Sequence, residues 1–118
     1  MGEVSIKRLG DIESSHGGSF SAAGKSLGVT AFGINVLRLP PNTDAYPEHD
    51  HSEDGQEEVY VVVFGAATLQ VEGEEHELTP ITLARVPAGT KRRWVTGDEG
   101  VTLVAVGGVP GGVYTPRA

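Results

Sequence analysis

Three residues in the middle of the chain have the types and the spacing of a metal site. His49 and His51 are two positions apart, and Glu58 opens an apolar run that is typical of a β-strand. Residues two apart in an extended segment point to the same side, so both imidazoles enter one space, where a carboxylate from the next strand can join them. Two histidines and one carboxylate form a facial arrangement that binds a divalent cation and leaves other coordination positions open. The sequence therefore predicts a metal site made of His49, His51 and Glu58.

The elements that must position these residues are predicted to be almost entirely strands. The sequence contains 17 glycines and 7 prolines, which favour turns between short segments over long helices. The predicted strands are residues 4–9, 28–39, 57–64, 66–72, 75–78, 81–86, 91–96 and 101–106. Their regular spacing is typical of a β-sandwich or barrel. At most one short helix is expected, within 20–27, and the glycine-rich stretch 107–112 is predicted to be irregular.

The segment 57–64 is apolar on both of its faces. A sheet tolerates such a strand only if both faces are covered. We therefore expect one face to line the core and the other to meet a second sheet or a second subunit, and we predict a homodimer.

Length and charge narrow the class of protein. A chain of 118 residues is large enough for one domain and too small for two, so residues 1–118 are predicted to form a single domain. The net charge of -7 argues against nucleic acid or an anionic membrane as the main partner. The absence of cysteine excludes disulfides and thiolate metal sites. With a charged N-terminal stretch and no long apolar run, the expected location is the cytoplasm.

The order of these residues resembles the cupin family. The residues that match its first motif are His49, His51, Glu58 and Gly65. In the second motif Pro87 and Gly89 match, whereas Ile81, Arg92 and Thr96 stand in place of a glycine, a histidine and an asparagine. The resemblance implies an all-β jelly-roll barrel of about eight strands, often dimeric. Cupins include metal-dependent dioxygenases, isomerases and decarboxylases as well as binding proteins without catalytic activity.

The first motif departs from the family in its spacing. Six residues separate His51 from Glu58, where the family usually has three or four, so Glu57 competes for the position of the acidic ligand. Both faces of the strand are apolar, so alternation alone does not choose between the two glutamates. Counting back from Gly65 by the spacing of the family favours Glu58.

The second departure is Arg92, which is permanently protonated and cannot donate a lone pair to a metal. Three arrangements are open. Arg92 pairs with Glu58 in a pocket without metal, or it swings away from a three-ligand site completed by water, or it stays near the cation and anchors an anionic substrate with its fork of donors. In the last case Arg92 is a catalytic residue, with the hydroxyl of Tyr60 as a donor beside it.

Two classes of function follow from these residues. As an enzyme, the protein would use Mn, Fe, Ni or Zn to cleave or isomerise a small organic acid. As a binding module, the same pocket would hold a small anion or sugar without turning it over, with Glu58 paired to Arg92 and no metal. The residue at position 92 separates the two, since a fourth neutral ligand there would favour the enzyme.

Overall fold

The computed structural model describes residues 2–113 as a strongly bent antiparallel sheet. Its strands are β1 Ser14–Ser15, β2 Phe20–Ser21, β3 Gly33–Leu39, β4 Glu57–Val71, β5 Glu74–Leu78, β6 Leu83–Val86 and β7 Arg92–Gly108. One short helix, α1 Ala23–Leu27, precedes β3, and two 3-10 turns lie at Leu9–Asp11 and His16–Gly18. None of the helices within residues 2–113 is long and apolar enough to cross a bilayer.

Two long strands organise the sheet. β4 and β7 pair along nearly their whole length, and β4 has two shorter partner strands on its other edge whereas β7 has one. β4 carries β6 beside its first half and β5 beside its second half, whereas β3 pairs with the second half of β7. The strand order is β1-β2-β3-β7-β4-β5, with β6 on β4. An all-β architecture with one short helix, as predicted, is confirmed.

The core lies on the concave face of the bent sheet. Its largest fully buried apolar side chains are Trp94, Tyr60, Leu103 and Val62. Tyr60 and Trp94 contact each other edge to face, with ring centroids 5.1 Å apart. Alternate residues of β4 and β7 supply this face, as the twofold periodicity of a strand requires.

Several predicted boundaries are wrong, each for a local reason. Segments 57–64 and 66–72 form one strand, as do 91–96 and 101–106, because ladder pairing continues through the bends that separate them. Residues 4–9 form no strand, whereas the short strands β1 and β2 were not predicted. Gly107 and Gly108 belong to β7, where pairing with β3 and β4 overrides the low strand preference of glycine.

The bend in β4 lies at Gly65. Its φ is 73°, and a Cβ added there would lie 2.2 Å from the carbonyl oxygen of Gly100. No other residue type fits such a contact without displacing the backbone. The register between β4 and β7 shifts on either side of this bend, and Phe64 consequently turns to the surface instead of sharing the buried face of Tyr60 and Val62.

The convex face of the sheet carries a row of aliphatic side chains. Four of them occupy one register across four neighbouring strands: Val36, Val104, Val61 and Leu83. Three are half-buried, and Leu83 is 63% exposed. We call these four residues the aliphatic row.

Candidate metal centre

His49 is positioned by the edge of β7. After β3, the chain runs back along the first half of β7, with hydrogen bonds from the amide of Asn42 to Gly97 and from the amide of Thr96 to Thr43. His49 and Arg92 then exchange both of their backbone hydrogen bonds, at 3.0 and 2.9 Å. The backbone of His49 is therefore fixed by the residue whose side chain lies in the same region.

His51 belongs to a loop and not to a regular strand. Its amide donates to the carbonyl of Ala88 at 2.7 Å, and the loop after it closes with the amide of Gly55 donating to the carbonyl of His51. The rings of His49 and His51 still converge, with centroids 5.3 Å apart. Their predicted proximity is confirmed, although a single isolated bridge and a turn produce it instead of one extended strand.

Glu58 lies on the concave face of β4 and is nearly buried. Its Oε1 accepts a hydrogen bond of 2.5 Å from the hydroxyl of Tyr60 and lies 3.1 Å from Nε2 of His51. Burial acts to raise the pKa of Glu58, but the hydrogen bonds from His51 and Tyr60 and the nearby positive charges outweigh it and hold the pKa below its usual value. Glu58 is therefore a carboxylate at neutral pH.

The pKa values of the two histidines are shifted in opposite directions. Nδ1 of His49 lies 3.3 Å from the carbonyl oxygen of Pro47, so it carries the proton and Nε2 keeps its lone pair. Burial lowers the pKa of His49 below 6.5. Both ring nitrogens of His51 face carboxylates, Nδ1 that of Asp54 at 3.1 Å and Nε2 that of Glu58, and these hydrogen bonds raise its pKa above 6.5.

The donor set fits a divalent cation. One ligand atom from each of His49, His51 and Glu58 lies within 4.8 Å of the other two. A cation with bonds of about 2.1 Å holds its ligand atoms roughly 3 to 4 Å apart, so small side-chain rotations complete the site. A cation would replace the proton on Nε2 of His51, while Asp54 keeps the proton on Nδ1 and orients the ring.

Arg92 is fully buried next to this site. Its Nη2 lies 3.8 Å from Oε1 of Glu58, within ion-pair range but beyond hydrogen-bond reach, and donates long hydrogen bonds to the carbonyls of Val86 and Pro87. Within residues 2–113, Nε and Nη1 have no hydrogen-bond partner. Among the three arrangements open from the sequence, this placement is nearest to the pairing with Glu58.

The three candidate ligands line a cavity of about 440 Å³. Its wall is built from α1, the residues before and within β3, and the loop between His51 and Glu58. Tyr46 and Tyr60 line it as well, and burial together with the charge of Glu58 raises the pKa of Tyr46 to about 12. Arg92 is not among the lining residues in the described part of the chain, so its guanidinium lies beneath the cavity and not within it.

Sequence reasoning missed three supporting residues. Asp54 lies in a loop rich in carboxylates. Only its spacing of three residues from His51 could have indicated the contact between the two side chains. Thr96 donates to the carbonyl of Pro40 at 2.7 Å and accepts from the amide of Thr43, which ties down the start of the segment that carries His49. Gly107 leaves room for the side chain of Gln56, since a Cβ there would lie 2.7 Å from Oε1 of Gln56.

Comparisons with known proteins agree with this architecture. The Cupin_2 family, described as a cupin domain, matches residues 35–107. Among curated protein sequences, none matches this chain.

Three solved structures illustrate the likeness. A cupin protein from Bacteroides fragilis is 18% identical with a TM-score of 0.77, over 99% of this chain and 93% of that one. A protein described as a sugar phosphate isomerase from a cupin superfamily, from Silicibacter pomeroyi, is 27% identical with a TM-score of 0.73, over 94% and 76%. A predicted oxalate decarboxylase from Thermotoga maritima is 16% identical with a TM-score of 0.69, over 88% and 98%.

Proposed function

This chain belongs to the cupin family, and from that premise we propose that it is a divalent-metal-dependent enzyme that acts on a small organic acid. One observation carries the proposal: the ligand atoms of His49, His51 and Glu58 converge within 4.8 Å at the wall of a 440 Å³ cavity. That volume lies in the range of small-molecule sites. The cation we propose is Mn, Fe, Ni or Zn, all of which accept imidazole and carboxylate ligands.

A bound cation would supply Lewis-acid polarisation of an oxygen on the substrate. The protein's own groups do the rest. Tyr60 donates its hydroxyl proton to the hydrogen bond with Glu58, and so fixes which carboxylate oxygen remains for the cation. Burial and the charge of Glu58 raise the pKa of Tyr60, so this residue stays a neutral donor. Tyr46 contacts the ring of His49 edge to face and shields that side of the site from water.

The proposed reaction class is isomerisation or oxygen-dependent cleavage. An isomerase is supported by the likeness to the Silicibacter pomeroyi protein, at 27% identity over 94% of this chain. Arg92, which was expected to be catalytic, is proposed instead to set the charge on Glu58 from beneath the cavity, since it is fully buried there. Tyr60 lines the cavity and keeps its proposed role as a donor.

A second function is favoured by the hydrogen bonds of Glu58. Its Oε1 already meets the hydroxyl of Tyr60, the imidazole of His51 and the guanidinium of Arg92, so charge is balanced without a cation. A protein that binds a small anion without metal would use the site in this form. Both functions place the ligand in the same cavity.

Metal analysis separates the two functions. Protein purified without chelator, or reconstituted with Mn, Fe, Ni or Zn, is expected to hold about one ion per chain. His49→Ala removes a ligand and should abolish binding, whereas His16→Ala, at an exposed histidine outside the site, should not. If no ion binds after reconstitution, or if His49→Ala binds as well as the wild type, the enzymatic proposal is wrong.

We further propose that residues 1–118 form one domain and that two copies associate through the convex face of the sheet. The aliphatic row supports this, since its four side chains are adjacent across four strands and Leu83 is largely exposed. Apolar surface of this kind is stabilised by contact with a partner.

A further inference from the structure

We propose that the cavity beside the metal centre selects a small monocarboxylate with an aromatic or branched apolar group, and that Lys25 and Phe32 determine this specificity. The inference rests on the proposed function, because it names the class of small acid that the site takes. It follows from what lines the cavity beyond the three metal ligands: a mostly apolar wall, two carboxamides and a single ammonium group.

The apolar wall is the larger part of the cavity. It includes the side chains of Phe20, Val29, Phe32, Ile34 and Leu37. Phe20 is half-buried and packs on the core, whereas Phe32 is 42% exposed and stands free for a ligand to cover. Covering apolar surface stabilises a complex, so an apolar group on the ligand adds affinity that a small hydrophilic acid lacks.

Polar groups on the wall are few and well separated in the sequence. Two residues that carry carboxamides, Asn35 and Gln56, line the cavity together with the ligands. Gln56 reaches this position because residue 107 is glycine, since a Cβ there would lie 2.7 Å from Oε1 of Gln56. Two neutral amides suit the orientation of one carboxylate or carbonyl, a pattern typical of small-molecule sites.

The charges on the wall favour a single negative charge. Lys25, on α1, is the one Lys or Arg side chain among the described residues that line the cavity, and Asp54 opposes it there. A bound divalent cation makes the net charge of the cavity positive, so an anion is attracted. A phosphate group is typically bound by arginine forks or several basic groups, and the guanidinium of Arg92 lies beneath the cavity instead.

Isothermal titration of the metal-loaded protein tests this with three probes: acetate, phenylacetate and ribose 5-phosphate. Acetate and phenylacetate share a carboxylate, so their difference reports on the apolar wall alone. Phenylacetate should bind roughly tenfold more tightly than acetate, and more tightly than ribose 5-phosphate. Equal affinity for the two acids, or tighter binding of ribose 5-phosphate, would overturn the proposal.

Matched variants assign the effect to residues. Phe32→Ala should weaken the binding of phenylacetate severalfold and leave the binding of acetate unchanged. Phe64→Ala, at a surface phenylalanine outside this cavity, should change neither affinity. Lys25→Met should weaken the binding of both acids, and Lys91→Met, at an exposed lysine elsewhere, should not. A Phe32→Ala protein that binds phenylacetate like the wild type contradicts the inference.

Metal content measured on the same samples keeps the two proposals apart. If the protein holds no ion yet prefers phenylacetate in a manner that depends on Phe32, the enzymatic proposal fails and the ligand class stands. If the ion is bound but the preference is absent, the ligand class fails and the metal site stands.

Discussion

The guanidinium Nη2 of Arg92 lies 3.8 Å from the carboxylate Oε1 of Glu58, and the arginine is fully buried. A cation bound to Glu58 would therefore have a fixed positive charge close to its ligand. The interaction between two charges at such distances is several kcal/mol at the effective dielectric of a protein surface, about 4 kcal/mol at 4 Å. Arg92 thus adds to the hydrogen bonds from His51 and Tyr60 that keep Glu58 ionised, and it would oppose a cation bound to this carboxylate.

The first prediction concerns this opposition. Arg92→His removes the positive charge and places a neutral ligand type where the cupin motif has one, so metal affinity should rise by at least roughly tenfold. Competition with a chelator measures the change. Arg93→His, at the neighbouring half-buried arginine that hydrogen-bonds the carbonyl of Asp44, should leave the affinity as it is. An unchanged or lower affinity in a folded Arg92→His protein would contradict the role given to this charge.

The second prediction concerns Asp54 as a positioning residue. Its carboxylate holds the Nδ1 proton of His51, so Asp54→Asn should weaken metal binding by about 10- to 100-fold. It should also lower the pKa of His51 in the metal-free protein, which NMR titration of the imidazole reports and a purely structural role would not produce. Glu53→Gln in the same loop is the control. If the pKa of His51 in Asp54→Asn is the same as in the wild type, the contact between Asp54 and His51 is ruled out.

The third prediction is the pH dependence of metal binding. The pKa of His51 is raised above 6.5 and that of His49 is lowered below it, so near pH 6.5 the proton to be displaced is that of His51. Affinity should rise by about tenfold per pH unit up to the His51 pKa and level off above it. Chelator competition between about pH 5.5 and about pH 8.5 checks the curve. An affinity that is flat across this interval would show that no histidine proton is released.

The fourth prediction tests the bend in β4. Gly65→Ala would place a Cβ against the carbonyl of Gly100, so the free energy of unfolding should fall by at least about 2 kcal/mol. Gly73→Ala is a matched control, because Gly73 has φ 82° but no atom within 4 Å of the added Cβ. In Gly73→Ala the free energy of unfolding should fall by about 1 kcal/mol, which is the cost of the backbone conformation alone. Chemical denaturation of both variants compares them, and equal losses would mean that the contact at Gly65 is not limiting.

The fifth prediction addresses the oligomeric state. If the aliphatic row forms the interface, the wild type is a dimer at micromolar concentration and Leu83→Glu should give monomers, because a buried unpaired carboxylate disfavours the contact. Light scattering during size exclusion measures the mass. Val4→Glu, at an exposed valine outside the sheet, should leave the mass unchanged. A monomeric wild type would end the proposal.

The sequence was sufficient for the class of fold, which depends on alternation and turn residues. The closeness of His49, His51 and Glu58 was expected from the first cupin motif, whose spacing favoured Glu58 over Glu57. The sequence was not sufficient to predict that β4 and β7 continue through their bends. Segments either side of Gly65 look like separate strands, since nothing local shows that β7 pairs through the bend. Phe64 lies on the surface and not on the face of Tyr60 and Val62 for the same reason, because a register shift is a property of two strands together.

The position of Arg92 shows a second limit. Its residue type excluded metal ligation from the outset, but the choice between pairing, swinging away and anchoring depends on burial and on the carbonyls of Val86 and Pro87. Likewise the contact of Asp54 with His51 depends on how the intervening loop closes. Such contacts arise from tertiary packing and leave no periodic trace.

His49 and Arg92 are joined by a pair of main-chain hydrogen bonds that any two non-proline residues can make. An exchange of the side chain at position 92 therefore keeps the donor and acceptor that hold the backbone of His49. During evolution a single substitution at this place would convert a neutral coordinating group into a permanent cation, or the reverse, on an unaltered scaffold. One substitution can in this way change the same barrel from tight to weak binding of an ion, or the reverse.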